Sequence, residues 1–186
     1  MSYRGKVILL GDAGVGKTSL LARYVDGIFR SEYISTIGAN FLIKEVDLNN
    51  IINKIDTPEI RESLRDKNFK LYFWDIGGQK DKLFVNEYYF IQAVGAILVF
   101  NVDNRETFNN LDFWISKLKK LSGPDVPFII VGNKIDLQEK RVVQSKEIEE
   151  KANKLGIPFF ETSAKLNESV DAAFESVSIQ ILNNLK

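Results

Sequence analysis

The chain has 186 residues, of which 45% are hydrophobic, and its 25 basic side chains balance its 25 acidic ones. This size and composition predict a single domain over residues 1–186 with a full hydrophobic core, and the zero net charge gives no reason to expect a nucleic acid partner. No apolar run reaches the ~18 residues of a membrane span, and the absence of cysteine fits a reducing compartment, so we expect a cytoplasmic protein.

Apolar runs alternate with helix-like stretches along the chain. Strands are predicted at residues 5–11, 39–48, 69–75, 95–101, 126–132 and 157–162. Helices are predicted at about 17–25, 82–92, 105–121, 145–155 and 168–185. Apolar residues recur at helical spacing in two of these helices, namely Phe108, Leu111, Ile115 and Leu118, then Ala172, Val177 and Ile181. The pattern is typical of an α/β fold with helices on both faces of a mostly parallel sheet.

A glycine-rich loop joins the first predicted strand to the first helix. It reads Gly11-Asp12-Ala13-Gly14-Val15-Gly16-Lys17-Thr18, and Ser19 continues the helix. Gly11 and Gly16 let the backbone curl so that its N–H groups point at phosphate oxygens, and the helix N-terminus favours the same anion. Lys17 can reach the β- and γ-phosphates, while the Thr18 hydroxyl can ligate Mg²⁺. The loop therefore predicts a nucleotide phosphate site over residues 12–19.

The base is indicated by Asn133-Lys134-Ile135-Asp136, which follows another buried strand. The Asp136 carboxylate can accept both the N1–H and the 2-amino N–H of guanine, whereas adenine has no 2-amino group and carries an acceptor at N1. These four residues alone would also fit a solvated turn. Downstream of the phosphate loop they predict GTP and GDP as ligands.

More motifs stand in order along the chain. They are Phe29, Thr36 within Ser35-Thr36-Ile37-Gly38, Asp75-Ile76-Gly77-Gly78-Gln79, and Glu161-Thr162-Ser163-Ala164-Lys165. With the two motifs above, they make the chain resemble the Ras superfamily of small GTPases from end to end. The resemblance implies a P-loop NTPase fold, the G domain, with a mixed six-stranded, mostly parallel sheet.

The resemblance also implies roles on the base side of the site. Phe29 would contact the guanine edge, and Lys165 would pack over the base. The Ala164 backbone N–H would meet the guanine carbonyl, with Ser163 in the same loop.

On the phosphate side, the resemblance implies that Thr18 and Thr36 ligate Mg²⁺ directly and that Asp75 acts through a bound water. The chain has no histidine, so Gln79 is expected to orient the attacking water rather than to take a proton. Lys17 and the Gly78 N–H would share the charge that develops on the phosphate. The expected activity is slow hydrolysis of GTP to GDP and phosphate as a molecular switch, in signalling or vesicle traffic. A nucleotide-dependent binding module with negligible hydrolysis is the alternative.

The branch of the superfamily is indicated by two stretches. Thr36-Ile37-Gly38-Ala39-Asn40-Phe41 is similar to the Rab branch, whereas Trp74-Asp75-Ile76-Gly77-Gly78-Gln79 is similar to the Arf-type motif. The chain is thus identified as a divergent Rab/Ras-like protein.

Partners follow from the same resemblance. An activating protein, an exchange factor and effectors are expected to bind through switch I, about 30–41, and switch II, about 76–90. Arg30 and Arg105 are expected to be surface charges rather than an internal arginine finger. Without cysteine the chain has no prenylation site, so we expect it to reach membranes only through a tail or partner outside this sequence. We also expect a monomer.

The segment between the switches, about 49–68, is longer than is usual in Rab or Ras proteins. Asp56-Thr57-Pro58-Glu59 predicts a helix start with Thr57 as N-cap and Pro58 at the first helical position. Ile60 and Leu64 would share one face of that helix. Two interpretations remain open: a mobile hairpin tip, or a partner-binding element that senses the nucleotide state.

Overall fold

A computed structural model describes residues 2–31, 35–46, 51–55, 57–64, 68–79 and 87–184. Its strands form one six-stranded sheet in the order β2-β3-β1-β4-β5-β6. The strands are β1 Ser2–Leu10, β2 Ala39–Val46, β3 Asn68–Ile76, β4 Ala93–Asn101, β5 Phe128–Asn133 and β6 Phe159–Thr162. β2 pairs antiparallel with β3 and the other neighbours pair in parallel, which confirms the mixed, mostly parallel sheet.

The connections between strands are helical. The α-helices are α1 Lys17–Asp26, α2 Pro58–Leu64, α3 Arg105–Asn109, α4 Leu111–Ser122, α5 Ser145–Leu155 and α6 Val170–Asn183. Short 3₁₀ turns cover Ile52–Lys54, Glu87–Tyr89 and Gln138–Lys140. Within the described residues, no helix combines the length and the apolar character that crossing a bilayer requires.

The core has two layers because successive side chains of a strand point to opposite faces of the sheet. Val7 and Leu9 of β1 belong to a buried cluster with α1, α2 and α6. Ile8 and Leu10 belong to a second cluster with α4 and α5. Helices thus cover both faces, as the strand and helix pattern predicts.

Two predicted helices are wrong in their extent. The helix predicted at 105–121 is broken at Asn110, whose ψ of −8° departs from the helical value and separates α3 from α4. Of the helix predicted at 82–92, residues 82–86 lie outside the described residues. Its end is a 3₁₀ turn followed by Gln92 with a left-handed φ of 62°, and β4 begins directly afterwards.

The last helix is shorter than predicted, and its buried face is shifted. Glu168 pairs with Ser163 in a β-bridge, so α6 begins only at Val170. Ala172 is exposed, contrary to expectation, and Ala173 is buried in its place. Val177 and Ile181 are buried as predicted.

The described part of the segment between β2 and β3 packs against the core. α2 begins at Pro58 as expected, and Ile51, Ile55 and Leu64 are buried in the cluster that α6 shares. Lys54 also forms a 2.5 Å ion pair with Glu175 of α6. These contacts pack the described residues of the segment on the core, while partner binding by this segment stays a prediction.

Candidate functional site

A cavity of about 410 Å³ opens at the carboxyl ends of β1, β5 and β6. Residues predicted for the site line most of it, namely Ala13, Gly14, Gly16, Lys17, Thr18, Ser19, Phe29, Thr36, Gly78, Gln79, Asn133, Lys134, Asp136, Ala164 and Lys165. The walls also include residues that sequence reasoning did not single out for ligand binding: Ala22, Asp26, Ile28, Arg30, Ser31, Asn40 and Leu42. Open α/β sheets bind ligands at this edge.

The glycine loop needs its glycines for conformation and for space. Gly11 and Gly16 have left-handed φ values of 141° and 96°. A Cβ on Gly11 would lie 2.1 Å from the carbonyl oxygen of Val99, and one on Gly16 would lie 2.4 Å from the amide nitrogen of Asn133. The first turn of α1, which starts at Lys17, carries no acidic side chain, so its N-terminus presents an uncompensated partial positive charge.

Lys17 is buried among backbone acceptors of the loop. Its Nζ donates to the carbonyl oxygens of Gly11 and Asp12, both at 2.8 Å. Burial lowers the pKa of Lys17 to about 8, and the charges of Asp75 and Asp12 partly offset that effect. An ammonium group has three N–H donors, so the geometry leaves one for an oxygen of an anion in the cavity. Such an anion would raise the pKa of Lys17 again, because a nearby negative charge favours the ammonium form.

Three oxygen-bearing side chains meet beside Lys17. The hydroxyls of Thr18 and Thr36 lie 2.9 Å apart, and both donate to Oδ2 of Asp75, Thr36 at 3.3 Å and Thr18 in a shorter bond. Asp75 Oδ1 is buried and has no hydrogen-bond partner among the described residues. Burial raises the pKa of Asp75, while the bond from Thr18 and the charge of Lys17 counteract that rise. Oxygen donors around an unsatisfied carboxylate oxygen fit Mg²⁺.

Asn133 links the phosphate loop to the base side of the cavity. Its amide nitrogen donates to the carbonyl oxygen of Val15 at 3.0 Å. Its oxygen accepts from the Thr162 hydroxyl at 3.2 Å and from the Ala164 N–H at 3.3 Å. Val15 itself is fully buried and does not line the cavity, so its side chain belongs to the core and its contact with the ligand stays a prediction.

Hydrogen bonds to neighbouring groups hold the side chains of Lys134 and Asp136 in place. Lys134 has a left-handed φ of 69°, which is uncommon outside glycine, and its Nζ donates to the Gly14 carbonyl at 2.9 Å. The Ser163 hydroxyl donates to Oδ1 of Asp136 at 2.6 Å. Ser163 is buried and orients Asp136 rather than lining the cavity. A carboxylate has about four acceptor positions, so Asp136 keeps capacity for two further donors.

The strand β3 leads into two glycines and Gln79. The Gly77 N–H donates to the Gly38 carbonyl at 2.8 Å, which ties the end of β3 to the start of β2. Gly78 is packed so closely on the 12–13 peptide that a Cβ there would lie 2.3 Å from the Asp12 carbonyl carbon. Gln79 lines the cavity and its amide donates to the Ser35 hydroxyl at 2.9 Å. Residues 32–34 and 80–86 of the predicted switches lie outside the described residues.

Sequence reasoning missed Arg23 of α1. Its guanidinium donates to the carbonyl oxygens of Ala164 at 2.9 Å, Gly27 at 2.6 Å and Lys165 at 3.2 Å. Arg23 therefore fixes the loop on the base side to the end of α1. The available signal was a single arginine within the apolar stretch Leu20 to Val25.

Sequence reasoning also missed the partners of Asp12. Its side chain faces α4 rather than the cavity, and it accepts hydrogen bonds from Asn110 and Trp114. These residues lie about one hundred positions further along the chain, and no local pattern connects them.

Three features lie at one edge of a doubly wound sheet: a glycine loop at a helix N-terminus, a Thr–Thr–Asp cluster and an Asn–Lys–x–Asp loop. Together they define a P-loop GTPase. The model of the Ras family matches residues 6–183, and the chain belongs to that family. It is similar to Ras-related protein Rab-13 from Bos taurus and from Canis lupus familiaris, each 37% identical over 95% of this chain and 79% of the relative. It is also similar to Ras-related protein RIC1 from Oryza sativa subsp. japonica, 36% identical over 98% of this chain and 83% of the relative.

Membership of this family establishes the activity. The chain is a small GTPase of the Ras superfamily, near the Rab and Ras branches, that hydrolyses GTP and acts as a switch in signalling or vesicle traffic. Ras-family GTPases bind GTP and GDP, generally with Mg²⁺, and work with activating proteins, exchange factors and effectors.

Proposed function

We propose that the whole chain is one G domain with an extended segment at about 49–68, and that the cavity described above is its GTP and GDP site. The observation that carries the proposal is the convergence of Lys17, Thr18, Thr36 and Asp136 on one cavity, with the buried Asp75 bonded to both threonine hydroxyls. Residues 12–19 would hold the phosphates through backbone N–H groups and the N-terminus of α1. Their glycine conformations and the orientation of Lys17 support this assignment.

The base would be guanine. Asp136 would accept from N1–H and the 2-amino group, and its bond from Ser163 holds the carboxylate in one orientation. The Ala164 N–H would exchange its 3.3 Å bond to Asn133 Oδ1 for one to the guanine carbonyl. Lys165 and Phe29, which line the same cavity, would pack against the ring. ATP would leave Asp136 facing an acceptor, so strong discrimination against it is expected.

Thr18, Thr36 and Asp75 would hold Mg²⁺, with Asp75 acting through water. A cation held by these oxygens would supply positive charge beside the phosphates, which favours phosphoryl transfer. In the structure the two hydroxyls donate to the Asp75 carboxylate, which keeps the three groups together. Because the Thr36 hydroxyl is part of this cluster, switch I would follow the occupancy of the phosphate and metal positions.

Hydrolysis would depend on positioning and electrostatics. Gln79 would orient a water in line with the γ-phosphate, and Lys17 and the Gly78 N–H would stabilise the charge on the transferred group. The third N–H of Lys17 would be available for this task, since the other two are held by the carbonyl oxygens of Gly11 and Asp12. Gln79 must exchange its bond to Ser35 for one to the attacking water.

Partner proteins would bind to the two switch segments. Ile37 and Tyr88 are 88% and 80% exposed, which supports binding of effectors and an exchange factor by these segments. An activating protein would supply an arginine, worth about 10³ to 10⁵ in rate. Switch II would begin with the Arf-like run Trp74-Asp75-Ile76-Gly77-Gly78-Gln79. In this run, Gly77 stands where Ras and Rab proteins usually carry alanine. We propose a cytoplasmic monomer.

The test is single-turnover cleavage of GTP with Mg²⁺, run beside ATP and beside Gln79→Leu. Slow cleavage of GTP, no cleavage of ATP and a loss of about 10-fold or more in the variant are expected. Tight GTP binding without cleavage would instead identify a binding module that signals through occupancy. Equal cleavage of ATP would refute the assignment of Asp136.

A further inference from the structure

The carboxylate of Asp12 is held away from the cavity by helix α4. Trp114 Nε1 donates to Asp12 Oδ1 at 2.8 Å, and Asn110 Nδ2 donates to Oδ2 at 2.5 Å. Trp114 is 1% exposed, and Asn110 lies at the break between α3 and α4. Both carboxylate oxygens are thus bonded by donors of one structural element.

The backbone of Asp12 is in contact with two parts of the proposed catalytic machinery. Its carbonyl oxygen accepts from Lys17 Nζ at 2.8 Å. The 12–13 peptide also forms the surface on which Gly78 is packed, since a Cβ on Gly78 would meet the carbonyl carbon and oxygen of Asp12 and the nitrogen of Ala13 within 2.6 Å. The orientation of this one peptide therefore affects both Lys17 and Gly78.

Helix α4 also holds the chain where it returns from switch II. Lys117 forms an ion pair with Glu87 at 3.6 Å, and the Ser122 hydroxyl donates to the Phe90 carbonyl at 2.7 Å. One helix thus bonds the phosphate loop near its N-terminus and the end of switch II along its remaining length. Their relative position is consequently set by a rigid element that does not itself line the cavity.

We propose that Asp12, Asn110 and Trp114 form a positioning clamp that orients the 12–13 peptide so that Gly78 and Lys17 can act on the γ-phosphate. The clamp rests on the proposed function of the cavity. Its main effect falls on the GTP-bound state, because Gly78 is expected to contact only the γ-phosphate, whereas Lys17 is also held by the Gly11 carbonyl, independently of Asp12. Its loss should lower the rate of hydrolysis more than it changes the binding of GDP.

The experiment compares Trp114→Phe, which removes the indole N–H and keeps an aromatic ring, with Ile115→Val, which loses one buried methyl group of the same helix. We expect single-turnover GTP hydrolysis to fall about tenfold in Trp114→Phe, equivalent to about 1.4 kcal/mol. Release of GDP, followed with a fluorescent analogue, should stay within about twofold, because a weakened clamp leaves the other phosphate and base contacts in place. Ile115→Val should change neither rate beyond about twofold.

A double-mutant cycle separates the clamp from a general effect of Trp114 on stability. If the tryptophan acts through Asp12, Trp114→Phe should have little further effect in an Asp12→Ala background. Should Trp114→Phe not fold, Asn110→Ala at a half-buried position takes its place in the same cycle.

The clamp is refuted if hydrolysis by the variants equals that of Ile115→Val, if GDP release changes as much as hydrolysis, or if the two substitutions act additively. A wild-type protein that does not cleave GTP would overturn both the proposed function and the clamp. A wild-type protein that cleaves GTP, with variants that do the same, would overturn the clamp alone.

Discussion

Gly78 offers a sharp test of how the phosphate loop and switch II act together. The substitution Gly78→Ala adds one methyl group, and the structure leaves no space for it. The new Cβ would lie 2.3 Å from the carbonyl carbon of Asp12, 2.4 Å from the nitrogen of Ala13 and 2.6 Å from the oxygen of Asp12. All three are backbone atoms, so no side-chain rotation can relieve the contact.

The magnitude follows from the distance that must be gained. Ordinary carbon contacts need about 3.5 Å or more, so Gly78 or the 12–13 peptide must move by about 1 Å. Overpacking in a closely packed site costs about 1 to 3 kcal/mol, which lowers the population of the docked arrangement by about 5- to 150-fold. If hydrolysis proceeds from that arrangement, its rate should fall by the same factor.

The assay is single-turnover hydrolysis of GTP at saturating Mg²⁺, with the release of GDP measured in parallel. Gly77→Ala is the comparison variant, because its Cβ would meet Oε1 of the flexible Gln79 side chain at 2.8 Å and the carbonyl oxygens of Thr36 and Gly38 at 2.9 Å and 3.1 Å. We expect a smaller loss for this variant, within about tenfold including any displacement of Gln79, since that side chain can rotate and the two carbonyl contacts need shifts of only about half an ångström or less.

GDP release should be nearly unchanged in both variants, because the contacts of Gly78 with the loop are not contacts with GDP. A rate for Gly78→Ala within about threefold of the wild type would refute the reasoning. The same conclusion would follow if Gly77→Ala were the slower of the two.

Three further predictions concern parts of the chain outside switch II. Arg23→Gln should speed GDP release about tenfold, measured by fluorescent nucleotide exchange, because the guanidinium bonds to the base-side loop are lost. Ile55→Ala should lower the free energy of unfolding by about 2 to 5 kcal/mol in urea titrations, whereas the exposed Glu59→Ala should change it by less than about 0.5 kcal/mol. Without nucleotide, the folded pKa of Lys17 of about 8 lies below the reference value of 10.5. Between about pH 8 and 10.5 the unfolded chain keeps the Lys17 proton that the folded chain has lost. The free energy of unfolding should therefore rise with pH from about 8 to 10.5. Lys17→Met should lack that rise in unfolding titrations at pH 7.5, 8.5 and 9.5, and an equal rise in both proteins would contradict the assignment.

Local patterns determined the sheet and the ligand-facing loops. The alternation of apolar runs and helical stretches predicted a mixed sheet with helices on both faces. The run from Gly11 to Thr18 predicted a phosphate loop because strand, glycines and helix follow each other within a few residues. A backbone conformation of this kind is decided by neighbours in sequence, and it can therefore be predicted without the tertiary structure.

Element ends and helix breaks were predicted less well. The break at Asn110 and the left-handed turn at Gln92 are not indicated by the apolar period. In α6 the buried position is Ala173 and not Ala172, since the start of the helix is set by the bridge between Ser163 and Glu168. Such details depend on hydrogen bonds to other elements, and the spacing of apolar residues does not reveal those bonds.

The residues expected to contact a guanine nucleotide can be named from the chain alone, because they sit in short loops whose chemistry is local. The interactions that hold those residues in position appear only once the chain is folded. Asp12 is bonded by Trp114, 102 residues further along the chain, and Arg23 reaches Ala164 across 141 residues. Contacts of this kind form when α1, α4 and the loops come together at one edge of the sheet. The spacing of residues along the chain does not predict which of them will come together.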